Sequence, residues 1–83
     1  MKTLNEAVVD RINYYLGKTY SSQYMLAEAS GVPYPTIKSI MQRRTKGITL
    51  KTIVMLARGF RISVSEFLSD EFFRYDELDL ESN

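Results

Sequence analysis

An all-α fold of five short helices is what this chain of 83 residues predicts, and three observations predict it. Apolar residues recur at helical spacing in five separate segments. Ser or Thr stands ahead of the first, second, fourth and fifth, as Thr3, Ser22, Thr49 and Ser63, where a side-chain oxygen can accept from the free amides of a first turn. Between the second and third segments, Ser30-Gly31-Val32 breaks the periodicity with a residue that takes positive φ at no steric cost and an apolar plug after it. A chain of this length makes one domain and buries about 60 to 65% of the surface its unfolded form exposes.

In order along the chain, Thr3 and Glu6 have the spacing of a capping box, so the first helix starts at Leu4. Leu4, Val8, Ile12 and Tyr15 or Leu16 form its apolar stripe, with Asn5, Asp10, Arg11 and Asn13 elsewhere on the wheel; it ends near Gly17. Lys18 to Ser21 is a loop. Ser22, or Ser21, caps the second helix, which begins at Gln23 and turns Leu26 and the small Ala27 inward. The third helix runs from Tyr34 to Gln42 or Arg43, with Pro33 and Pro35 confined to its start, where a missing N–H costs nothing. Ile37, Ile40 and Met41 make its apolar stripe, and Tyr34, Lys38, Ser39 and Gln42 its polar face. The cationic loop QRRTKGIT, with Gly47 as turn residue, leads to Thr49 and a fourth helix whose core stripe is Leu50, Ile53, Val54, Ala57 and Phe60. Ser63 and Glu66 form a second capping box, and Val64, Phe67 and Leu68 give the fifth helix its buried side. Residues 1–69 thus form the helical domain; residues 70–83 form an acidic tail or helix extension carrying Phe72, Phe73, Tyr75, Leu78 and Leu80.

Composition removes whole classes of function. The chain has no Cys and no His, which excludes disulfides, thiolate nucleophiles and the usual zinc or iron ligand sets and removes the commonest general base. An enzyme is not expected, and no cofactor. No run approaches the roughly 18 apolar residues of a membrane span, and MKTLNEAVVDR lacks a signal-like apolar block, so no membrane partner is expected and the cytoplasm is the default location. The net charge of +1 conceals a segregation along the chain. Residues 1 to 64 carry ten Lys or Arg against three acidic residues, a net of +7, while residues 65 to 83 carry Arg74 against seven, a net of −6. Between Glu28 and Glu66 there is no acidic residue, but Lys38, Arg43, Arg44, Lys46, Lys51, Arg58 and Arg61 are all cationic. Such a block suits a polyanion.

Ser22-Gln23, Leu26-Ala27, Gly31-Val32, Ile37 and Ile40 stand at the relative spacing of the helix-turn-helix in the phage repressor and Cro (XRE) family, which the chain resembles from Thr3 to about Leu68. The resemblance implies a five-helix, lambda-repressor-like bundle, bacterial or phage-derived, that binds double-stranded DNA sequence-specifically with its third helix in the major groove. By position in that family, Tyr34, Pro35, Lys38 and Ser39 are the base-reading candidates. Ser22, Gln23, Thr36, Gln42, Arg43, Arg44, Lys46, Thr49 and Lys51 are the phosphate candidates. Pro33 and Pro35 depart from the family, which has polar residues there, so readout shifts onto Tyr34 and Lys38. Arg58 and Arg61 are assigned to the C-terminal end of the fourth helix, where cations suit the dipole. The family often has Gly where Arg61 stands, and Gly59 suggests a shifted helix end. The implied role is a transcriptional repressor acting as a homodimer. The alternatives are an antitoxin that uses the same fold and masks a toxin partner, or a helical adaptor that binds protein. For the tail, a dimer seam extending helix five, an acidic mask over the basic face and disorder are the three expectations.

Overall fold

A computed structural model describes residues 2–69 and 74–80. Its helices are α1 (Leu4–Lys18), α2 (Gln23–Ser30), α3 (Tyr34–Met41), α4 (Leu50–Gly59) and α5 (Val64–Phe67), followed by a single 3-10 turn at Tyr75–Glu77. The fold is all-α, as expected, and among the described residues no helix is long and apolar enough to cross a membrane.

The caps explain where the helices begin. At α1 both halves of the capping box form: the Thr3 hydroxyl accepts from Glu6 N–H, and the Glu6 carboxylate accepts from Thr3 N–H. Ser22 and Thr49 accept from Met25 and Thr52 N–H, three residues into α2 and α4. At α5 only half of the expected box exists. Ser63 accepts from Glu66 N–H, but the Glu66 carboxylate accepts instead from the Tyr15 hydroxyl at 2.7 Å. That hydroxyl belongs to a buried cluster around Arg11, which is only 4% exposed although its sequence position suggested the polar side of α1. Arg11 Nε donates to the Phe67 carbonyl at 2.8 Å, and its Nη2 donates to the Glu66 carbonyl and to the Tyr15 hydroxyl. A buried guanidinium satisfied in this way ties α1 to α5.

How the helices end was less visible in the residues. Tyr20, Arg43 and Arg61 all have left-handed backbones, with φ of 52°, 59° and 60°. Each follows the C-cap of a helix and completes the same pair of bonds. After α3, Arg43 N–H donates to the Ile40 carbonyl and Arg44 N–H to Ser39; after α4, Arg61 donates to Arg58 and Ile62 to Ala57; after α1, Tyr20 donates to Gly17 and Ser21 to Leu16. These are Schellman closures with a bulky residue where Gly is usual. The first helix ends at Lys18, one residue past Gly17, near the expected end.

The core gathers Ala7, Val8, Val9, Ile12, Leu26, Val32, Ile37, Ile40, Ile53, Leu56, Ala57 and Phe67. The expected α4 stripe is corrected at one end. Leu50 is 67% exposed, and Leu56, one helical face away, is buried in its place. Gly59 marks no shifted end. It is the last residue of α4 at the crossing with α2, where a Cβ would lie 2.7 Å from the Ser30 Cβ and 3.0 Å from its Cα. The small residue lets the two backbones approach. Val32 plugs the corner below Gly31, whose φ is 81° and whose N–H closes α2 onto the Ala27 carbonyl.

The expected extension of helix five is also corrected, since α5 stops at Phe67 with Leu68 as its C-cap. Phe72 and Phe73 lie outside the described residues. Further on, Leu78 packs against the core, and Asp79 N–H donates to the Lys2 carbonyl at 2.9 Å in an isolated parallel bridge between Thr3 and Asp79. That part of the tail lies beside the start of α1.

Candidate nucleic-acid interface

α2 and α3 meet at the Gly31 corner, and the core side chains Leu26, Val32, Ile37 and Ile40 hold them there. That leaves the opposite side of α3 in solvent. Tyr34, Pro35, Thr36 and Lys38 are exposed and Ser39 is half-exposed. Pro33 supplies no side-chain cap, and its carbonyl receives the amides of Thr36 and Ile37 at 2.9 and 3.1 Å. The start of α3 is thus fixed by backbone and proline rings rather than by a polar side chain.

Two of the expected base readers touch each other. The Lys38 ammonium lies 5.7 Å from the centroid of the Tyr34 ring, and the Tyr34 ring meets the Tyr24 ring edge-on at 5.7 Å and 70°. Tyr24 is an exposed residue of α2. This is the contact expected of a Tyr34 that staples the start of α3 onto Tyr24 or Met25.

The phosphate candidates form two groups. Ser22 and Gln23 stand at the N-terminus of α2, with the Ser22 hydroxyl engaged by Met25 N–H and the first-turn amides directed outward. Gln42, Arg43, Arg44 and Lys46 are exposed in the segment after α3, and Thr49 and Lys51 at the start of α4. Thr49 is engaged as the cap and its hydroxyl pairs with that of Thr52 at 3.1 Å. The loop between α3 and α4 is anchored from an unforeseen direction. Asn5, expected on the polar side of α1, is only 7% exposed, and its side-chain nitrogen donates to the carbonyls of Thr45 and Lys46 at 2.8 and 3.0 Å. No local signal marks a residue that bonds forty positions away. Glu6, next to it, is held below its ordinary carboxyl pKa of 4.5, first by the backbone and side-chain bonds from Thr3, against some desolvation, and then by the charges of Arg43 and Lys2. Arg58 and Arg61 are exposed at the end of α4.

The signature of the Cro/C1-type HTH DNA-binding domain matches residues 4–72, a stretch that takes in all five helices. The chain belongs to this family. No curated protein and no solved structure matches it. As a Cro/C1-type domain it is a DNA-binding regulator, and its α2–corner–α3 unit is the helix-turn-helix of that family. Among the described residues of this Cro/C1-type domain, no group of three or more acidic residues could hold a metal ion.

Proposed function

We propose that this Cro/C1-type protein is a sequence-specific repressor that binds double-stranded DNA as a homodimer, with α3 in the major groove. The observation that carries the reading is the coincidence of an exposed α3 face with a cationic loop at its end, in a stretch free of acidic residues from Ala29 to Ser65. Base edges are read by Tyr34, Pro35, Lys38 and Ser39, with Lys38 donating to guanine O6 or N7 and Tyr34 placing its ring or hydroxyl against a neighbouring pair. Phosphates are held by Ser22 and Gln23 at the start of α2, by Thr36 on α3 and Gln42 just after it, and by Arg43, Arg44, Lys46, Thr49 and Lys51. Repression follows from occupying a promoter without chemistry.

Dimerisation draws on a second feature. Leu4, Val8, Ile48, Leu50, Ile53 and Leu68 line an apolar hollow of about 210 Å³ beside the start of α4, with Leu50 standing out into solvent. A second copy pairing there brings two phosphate-gripping α4 N-termini together on one side, as two half-sites one helical turn apart (about 34 Å) require.

Selection of bound duplexes from a random pool tests the whole reading. A palindrome with two half-sites is the expected product, and a single unrepeated site would sink the homodimer. Affinity should fall with salt at a slope of about −0.9 per phosphate neutralised, and Arg44→Ala should flatten that slope by about one step while sequence preference stands. A protein that binds no duplex even at low salt is an adaptor and not a repressor.

A further inference from the structure

Asn5 is the second residue of α1, buried, uncharged and distant in sequence from everything that the proposed interface uses. Its amide nitrogen grips two consecutive carbonyls, Thr45 at 2.8 Å and Lys46 at 3.0 Å. Holding both fixes two successive peptide planes in the middle of the cationic loop. Two residues upstream, Arg43 is locked in a left-handed turn by its bond to Ile40. One step along α1, Glu6 feels the charge of Arg43. The start of α1 therefore braces the loop while Arg43, Arg44 and Lys46 remain exposed around it.

We infer that Asn5 is a positioning residue for phosphate binding, fixing the α3–α4 loop so that Arg43, Arg44 and Lys46 meet the DNA backbone already spaced. This rests on the reading of that loop as a phosphate-contacting segment. A loop that is ordered before binding does not lose its conformational freedom on the duplex, and so keeps more of the electrostatic attraction as affinity. Without the clamp the three cations keep their charge but lose their common geometry.

The neutrality of Asn5 makes the test specific. Replacing it changes no charge, and a residue this buried displaces no counterion of its own, so any change in salt dependence must come through the loop. Asn5→Ala should lower affinity for all duplexes alike, flatten the slope of log affinity against log salt by about one, and leave the ratio between preferred and scrambled sequences unchanged. Thermal melting shows whether the variant is folded. If it is not, Asn5→Leu fills the same space without the donor and is read in the same way. A folded variant with the original slope, measured where Arg44→Ala does flatten it, overturns the clamp alone. If Arg44→Ala and Lys46→Ala also leave the slope unchanged, the reading of the loop falls and the inference with it. In the unsubstituted protein the Asn5 side-chain amide protons should exchange slowly with solvent, and exchange at the rate of a free amide would overturn the contact itself.

Discussion

The ammonium of Lys38 rests 5.7 Å from the centre of the Tyr34 ring, one turn behind it on α3. A cation over an exposed aromatic face is stabilised by about 0.5 to 1 kcal/mol, and the Tyr24 ring meets the Tyr34 ring edge-on. The two residues therefore approach DNA as a unit. Lys38→Ala should remove about 1 to 3 kcal/mol of discrimination at one base pair. Tyr34→Ala should weaken discrimination at that same pair, and the double variant should lose less than the sum of the two. Competition binding with duplexes substituted one pair at a time measures this, and strictly additive losses would show that Lys38 and Tyr34 read independently.

Arg43 and Arg61 share a left-handed backbone but not a location. Such a conformation costs a non-Gly residue roughly 1 to 2 kcal/mol, part of which Gly gives back through its larger unfolded-state entropy. Replacing either by Gly should raise stability by a few tenths to about 1 kcal/mol. For Arg61→Gly, melting should rise with DNA affinity unchanged. For Arg43→Gly, melting should rise while affinity and its salt slope fall, because a phosphate candidate is lost. A chain that keeps an arginine in a strained turn beside its cationic loop fits a backbone position held for function. Equal DNA affinity in both variants would remove that interpretation.

Gly59→Ala tests the α2–α4 crossing. The added methyl would lie 2.7 Å from the Ser30 Cβ and 3.0 Å from backbone, too close for a side-chain adjustment, so the helices must part. A loss of about 1 to 3 kcal/mol in denaturant unfolding is expected. Because α2 carries half of the helix-turn-helix, DNA affinity should fall as well. A neutral effect on stability would show that α4 can slide at little cost.

Much of this architecture was legible because helix starts are written locally. Thr3, Ser22, Thr49 and Ser63 each cap the helix whose first turn they precede, and the Gly31 corner forms where the only such break in periodicity stands. The way α1, α3 and α4 close was not legible, since Tyr20, Arg43 and Arg61 adopt a geometry that their side chains disfavour and tertiary packing imposes. Periodicity also misled where a face is wide. On α4 both Val54 and Leu56 lie near the apolar side, and the packing of α4 against α2 and α5 leaves Leu56 buried and Leu50 exposed. The polar residues buried at Asn5 and Arg11 could not be read from the sequence at all, because their partners are carbonyls 40 and 56 positions away. Charge segregation pointed to the interface, and the groups that hold it in shape were silent.

Glu6 provides a test of the α1 N-terminus by pH. Its carboxylate accepts from Thr3 N–H at 2.9 Å, and those Thr3 bonds, with smaller help from Arg43 and Lys2, hold its folded pKa below the ordinary value of 4.5. A carboxyl with a depressed folded pKa binds its proton more readily in the unfolded chain. Its contribution to stability is therefore complete above the unfolded pKa and is lost as pH falls through the folded one. Glu6→Gln should lower stability at pH 7, and the gap from the unsubstituted protein should stay constant down to about pH 5 and close below it, where protonation neutralises Glu6 itself. Urea unfolding of both proteins at pH 7, 5 and 3 measures the gap, and a gap that persists undiminished at pH 3 would mean that the carboxylate charge contributes nothing at the start of α1.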